Sequence, residues 1–166
     1  MGLAVLRGLE LRYFGVRTLR NENRPYDLIG QARRVVLGTV EQHQPHVVAI
    51  EEPLNLPTKR AHLLNVITDE LRERAEELGL EVVALSSEMV RQRVTGNPRA
   101  TKIEVAETLV RRGFEDMKEL IPKRPARAAL GLRPKDKYWL HMFDALALGL
   151  AAIESKSGLQ EDMAET

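Results

Sequence analysis

The stretch that most constrains this chain lies near its C-terminal end, His141-Met142-Phe143-Asp144-Ala145-Leu146-Ala147-Leu148-Gly149-Leu150. From Leu140 to Ile153 nearly every position is apolar, and His141 and Asp144 are the only ionisable side chains. A helix with no wet face is buried on most sides. An unpaired carboxylate there would cost several kcal/mol, so Asp144 must be protonated, paired or bound to a cation. A spacing of three puts His141 and Asp144 on one helix face. The plain reading is a satisfied polar pair inside a core. The chain upstream supplies a second one.

Gly2 to Leu6 is a short apolar run, Arg7-Gly8 reads as a tight turn, and the alternation from Leu9 onward predicts a second strand ending near Leu19. Residues 21–25 are expected to be loop. Helical spacing runs from Tyr26 to Gln44, where Pro45 stops it. The clearest strand follows, His46-Val47-Val48-Ala49-Ile50, ending in Glu51-Glu52-Pro53. A continuous apolar run after a helix suggests a parallel strand covered on both faces. Acidic residues at the C-terminal end of such a strand stand where α/β folds usually place their chemistry. Successive strand residues face opposite ways, so Glu52 ranks behind Glu51.

After a loop at 54–58, Lys59 to Leu78 predicts an amphipathic helix with a stripe of Leu63, Leu64, Ile67, Leu71, Ala75 and Leu78, closed by Gly79. Glu81 to Leu85 is the next strand. Ser86 or Ser87 caps a helix through Val94, Gly96-Asn97-Pro98 breaks it, and Ala100 to Arg112 forms another, ended by Gly113. Residues 114–138 hold three prolines and many basic residues, with room for a short helix. The order predicts an α/β fold: a mixed sheet with an antiparallel hairpin, parallel strands and flanking helices.

At 166 residues the chain is expected to be one domain over 1–154, followed by an acidic, disordered tail at 155–166. No apolar run of about 18 residues occurs, so no membrane span is expected. Arg7, Glu10 and Arg12 interrupt any signal-peptide core. The absence of cysteine excludes disulfides and thiolate metal sites and fits a cytoplasmic protein. Net charge is only +1, yet Arg91 to Lys137 carries 13 Lys or Arg against 6 Asp or Glu. A basic segment in a near-neutral chain suggests a polyanion surface. A strand-end carboxylate would stand near a buried His-x-x-Asp; hard divalent cations prefer oxygen ligands such as these carboxylates, with water completing the shell, and two such ions about 4 Å apart clamp a phosphodiester.

Three blocks in this order resemble the RuvC-type Holliday-junction resolvases of the ribonuclease H-like superfamily. They are Val48-Ala49-Ile50-Glu51; Val90-Arg91-Gln92-Arg93-Val94-Thr95-Gly96 with Ala100-Thr101-Lys102 and Val105; and His141-x-x-Asp144-Ala145-Leu146-Ala147. Gly2 to Leu6 is similar to the family's second strand, and together the blocks cover most of the chain. The resemblance implies a ribonuclease H-like fold and a metal-dependent, structure-selective endonuclease resolving branched DNA in recombination and repair. Metal-activated water would attack a phosphodiester in line and leave a 5′-phosphate. Glu51, His141 and Asp144 would hold Mg²⁺ or Mn²⁺, with Lys102 assisting catalysis. Arg91, Arg93, Arg99 and Lys102 would contact DNA, although Arg91 cannot shuttle protons as a lysine can. A homodimer and branch-migration proteins are the implied partners.

The chain departs from the family in three places. The family opens on an apolar strand bearing Asp-x-Gly, which would lie between the hairpin and the Val47–Ile50 strand; this chain starts where that strand should have ended. A missing N-terminal segment is the preferred explanation over degeneracy, because losing a central strand exposes its neighbours' edges. The 114–138 insertion suggests a divergent branch. Leu54 stands near where the family often has a base-stacking aromatic. Two further readings follow: a catalytically degenerate nucleic-acid-binding homologue, and a superfamily nuclease acting on structured RNA. As written, the chain is expected to bind magnesium weakly and cleave poorly.

Overall fold

Gly8, with φ of +56°, makes the turn that joins β1 (Gly2–Arg7) to β2 (Glu10–Val16). Only glycine adopts that conformation without a Cβ penalty. The hairpin is antiparallel, from Gly2 opposite Val16 to Arg7 opposite Glu10, with a register shift between Val5 and Leu6. β2 alternates as expected, Leu11, Tyr13 and Gly15 being half-buried and Glu10, Arg12 and Phe14 exposed. It stops at Val16, three residues before the expected end. The computed structural model describes residues 1–19, 25–52, 57–122 and 134–164. Residues 21–24 of the loop expected at 21–25, the stretch around Leu54, and residues 123–133 of the basic insertion lie outside them; Pro25 itself already belongs to a helix.

The chain falls into two compact units: Met1 with Arg17–Ser87, and Gly2–Val16 with the chain from Glu88 onward. The first holds α1 (Pro25–His43), β3 (Val47–Glu51), α2 (Lys59–Glu77) and β4 (Glu81–Leu85). Pro25 sits in the first turn of α1, where its missing N–H costs nothing. Gln44, at φ +44°, turns the chain out of α1 ahead of Pro45. Thr58 caps α2 by accepting from the Ala61 amide at 3.1 Å. β3 and β4 pair in parallel, Val47 opposite Glu81 and Glu51 opposite Leu85. α2 packs on α1 and on both strands, and Leu28, Ala32 and Ile67 form a small core. Of the stripe predicted for α2, Ile67 and Ala75 are buried and Leu63 and Leu71 pack partly buried on the core, with Ala61 added to them, whereas Leu64 (42% exposed) and Leu78 (50% exposed) fall outside it.

The second unit holds the hairpin, α3 (Ser87–Thr95) from its second residue on, α4 (Lys102–Arg111), a 3₁₀ helix at Glu115–Leu120 and α5 (Pro134–Ala164). α4 starts two residues later than predicted because Thr101 is its N-cap, in a capping box with Glu104. The 3₁₀ helix is the short helix for which the insertion had room. α5 runs on to Ala164, through most of the stretch expected to be a disordered tail. Its buried face, Leu140, Met142, Phe143, Leu146, Ala147, Leu150 and Ala151, packs against β1, β2 and α4. β1 approaches so closely that a Cβ on Gly2 would stand 1.8 Å from the His141 carbonyl oxygen.

The mixed α/β class is as predicted: an antiparallel hairpin, a parallel pair and flanking helices. Both sheets are two-stranded among the described residues, so each strand keeps one edge without a ladder partner. No helix among them is long and apolar enough to cross a membrane.

Candidate functional site

Glu51 is the last residue of β3 and is exposed, as is Glu52 after it. Parallel pairing brings the end of β4 beside Glu51, and the Glu52 amide donates to the Leu85 carbonyl at 2.9 Å. Two residues past Leu85, the Ser87 hydroxyl donates to Glu51 Oε1. From sequence Ser87 was only a helix cap. The signal that could have found its second role is the matched C-terminal ends of two neighbouring parallel strands.

In the second unit, α5 presents His141 and Asp144 together, as their spacing required. Asp144 Oδ2 accepts from Lys102 Nζ and lies 3.8 Å from His141 Nδ1. The expectation of a helix without a wet face is corrected here. His141 is 52% exposed at its side chain and Asp144 36%, because β1, β2 and α4 cover only the Met142–Phe143–Leu146 side. Ala145 and Leu148 share the half-open face, and as apolar residues they concealed it. Asp144 is therefore satisfied by an ammonium group in a half-solvated setting. Lys102 reaches it from the first residue of α4, fixed there by the capping box: the Thr101 amide donates to Glu104 Oε2 at 2.7 Å and the Glu104 amide to Thr101 Oγ1 at 3.3 Å.

The other basic candidates divide. Arg99 is exposed, on a loop held by its own hydrogen bonds: the Asn97 amide donates to Thr95 Oγ1 and the Arg99 amide to Asn97 Oδ1. Arg91 is half-buried on α3. Arg93 donates Nη1 to the Ala151 carbonyl at 2.9 Å and ties α3 to α5. Arg112, not singled out from sequence, pairs with Glu154 on α5.

Among the described residues no group of three or more His, Asp or Glu is placed to hold a metal ion. Mg²⁺ asks for near-octahedral oxygen coordination. One carboxylate and one imidazole, with an ammonium already against the carboxylate, do not fit it.

Elements and packing together define an α/β protein with the RuvC fold. The structure of Thermus thermophilus RuvC matches with a TM-score of 0.65 and 22% identity, over 95% of this chain and 88% of that one. T. thermophilus RuvC in complex with a Holliday junction substrate matches with a TM-score of 0.62 and 20% identity, over the same shares. No protein-family profile matches the sequence, and no curated protein matches it.

Proposed function

We propose that this chain is a nucleic-acid-binding homologue of the RuvC nucleases that engages branched DNA and, as it stands, holds divalent cations too weakly to cleave it well. The carrying observation is that Asp144, the expected closing metal ligand, is engaged by the Lys102 ammonium. Binding is supported by the cations gathered on and between α3 and α4. Lys102 and Arg99 are exposed on a structured loop and helix start, where a phosphate backbone can reach them. The solved relative that carries a Holliday junction makes branched DNA the first ligand to try.

The test is a binding titration against four-way junction, linear duplex and structured RNA, with Mg²⁺- and Mn²⁺-dependent cleavage scored in parallel. Junction preference without appreciable cleavage is the expected result. Strong cleavage abolished by Asp144→Asn would restore the metal-dependent resolvase reading; preference for RNA would move the chain to the structured-RNA nuclease reading.

A further inference from the structure

A cavity of about 320 Å³ opens on α3 in the second unit, lined by Glu88, Met89, Gln92, Arg93 and Pro98. Helical spacing makes its floor: Glu88 and Gln92 are four apart, as are Met89 and Arg93, so two adjacent rows of the helix face it. Pro98 closes it from the loop after α3, and that loop is fixed by its own bonds. Gly96 turns at φ +75°. Thr95 Oγ1 donates to the Arg91 carbonyl at 2.8 Å, the Asn97 amide to Thr95 Oγ1 at 3.1 Å and the Arg99 amide to Asn97 Oδ1 at 3.0 Å. Arg93 is anchored on the Ala151 carbonyl. The cavity is therefore preformed, as small-ligand sites usually are.

Its volume is at the low end of the roughly 300–1,000 Å³ of ligand pockets, which suits one ring system. Met89, 42% exposed, and Pro98 offer an apolar wall, and a thioether packs well on an aromatic ring. Glu88 only accepts hydrogen bonds, Arg93 only donates and Gln92 does both. That set matches a ring edge on which an amino donor stands beside carbonyl and ring-nitrogen acceptors, as on cytosine. Charge selects what carries the ring. Arg93 lines the cavity, Arg91 and Arg99 adjoin Gln92 and Pro98 in the chain, and Glu88 alone opposes them. An apolar protein side chain has no use for three guanidinium groups, whereas a polyanionic strand does. We propose that this cavity takes one unpaired nucleobase from a strand whose phosphates lie against Arg91 and Arg99. A paired base keeps its edge and faces inside the duplex, so the cavity favours single-stranded or branched substrate over linear duplex. The inference rests on the nucleic-acid reading above and adds which part of the strand the protein holds.

The experiment compares two single-stranded probes of equal length and charge by fluorescence anisotropy, oligodeoxycytidine and an all-abasic tetrahydrofuran oligomer. Wild type should bind the base-bearing strand about tenfold more tightly. Met89→Ala should weaken oligodeoxycytidine about fivefold and leave the abasic strand unchanged, while Met89→Leu, which keeps the apolar wall, should stay near wild type. Arg99→Gln should weaken both strands by the same factor, as a phosphate contact does. Equal affinity of wild type for the two strands overturns the cavity and leaves the nucleic-acid reading standing. No binding of either strand, nor of a four-way junction, rejects both. If Met89→Ala fails to fold, Gln92→Ala, at an exposed position, replaces it under the same criterion. Sedimentation velocity covers the remaining occupant: a wild-type dimer that Met89→Ala dissociates assigns the cavity to a second copy and overturns the proposal.

Discussion

Lys102 and Arg93 lie nine positions apart in one basic block, yet they do different things. Lys102 pairs with the partly exposed side chain of Asp144, and Arg93 with a backbone carbonyl of α5. Lys102→Ala should weaken DNA binding and make the plot of log K against log salt shallower by about 0.9, the loss of one phosphate contact. An unchanged slope returns Lys102 to the ordinary solvated lysines. Arg93→Ala should instead cost about 1–2 kcal/mol of stability, since it removes a charged donor from a part-buried carbonyl, and leave the slope within error. Urea melts beside binding titrations at three salt concentrations separate the two outcomes.

At the scale of elements, the packing of β1 on α5 depends on two glycines with different neighbours. A Cβ at Gly2 meets backbone, the His141 carbonyl, whereas a Cβ at Gly149 meets the Leu6 Cδ1 atom at 2.6 Å. A leucine tip can rotate away; a helix carbonyl moves only with its helix. Gly2→Ala should therefore be the costlier change, at about 2–3 kcal/mol, and Gly149→Ala should cost about 1 kcal/mol. Equal losses in chemical denaturation would mean that β1 slides freely on α5. The N-cap of α4 belongs to this scale too. Thr101→Ala should cost about 1 kcal/mol and, by loosening the helix start that aims Lys102, also weaken DNA binding; a melt and a binding titration on the same variant test both.

Across the whole molecule, the second unit is assembled from both ends of the chain, with residues 17–87 lying between its two parts. Closing a loop of about 70 residues costs about 4 kcal/mol in chain entropy. That cost is met by apolar burial on α5 and α4, where Phe143, Leu109, Met142 and Leu146 are the largest fully buried side chains. Leu109→Ala should lower stability by about 2–5 kcal/mol. Trp139, the single tryptophan, lies in the same unit, with Tyr138 edge-on at 5.1 Å, so its fluorescence reports this loss during urea unfolding. A tryptophan transition that stays in place would show that Leu109 lies outside the cooperative core.

The sequence alone determined the order and kind of the elements, because strand alternation, helix spacing and breakers such as Gly8, Pro45, Gly79 and Gly96 act over a few residues. It also determined that His141 and Asp144 share a face, since helix geometry fixes that. Only the tertiary structure decided that this face is half open. Ala145 and Leu148 are apolar whether or not anything covers them, and the covering elements, β1 and α4, are distant in the chain. Partner choice was equally out of reach: Lys102 meets Asp144 across 42 positions and Ser87 meets Glu51 across 36. A local pattern holds no information about which charges meet at such separations. Packing of α4 on α5 settled the first of those partnerships, and the parallel register of β3 and β4 the second.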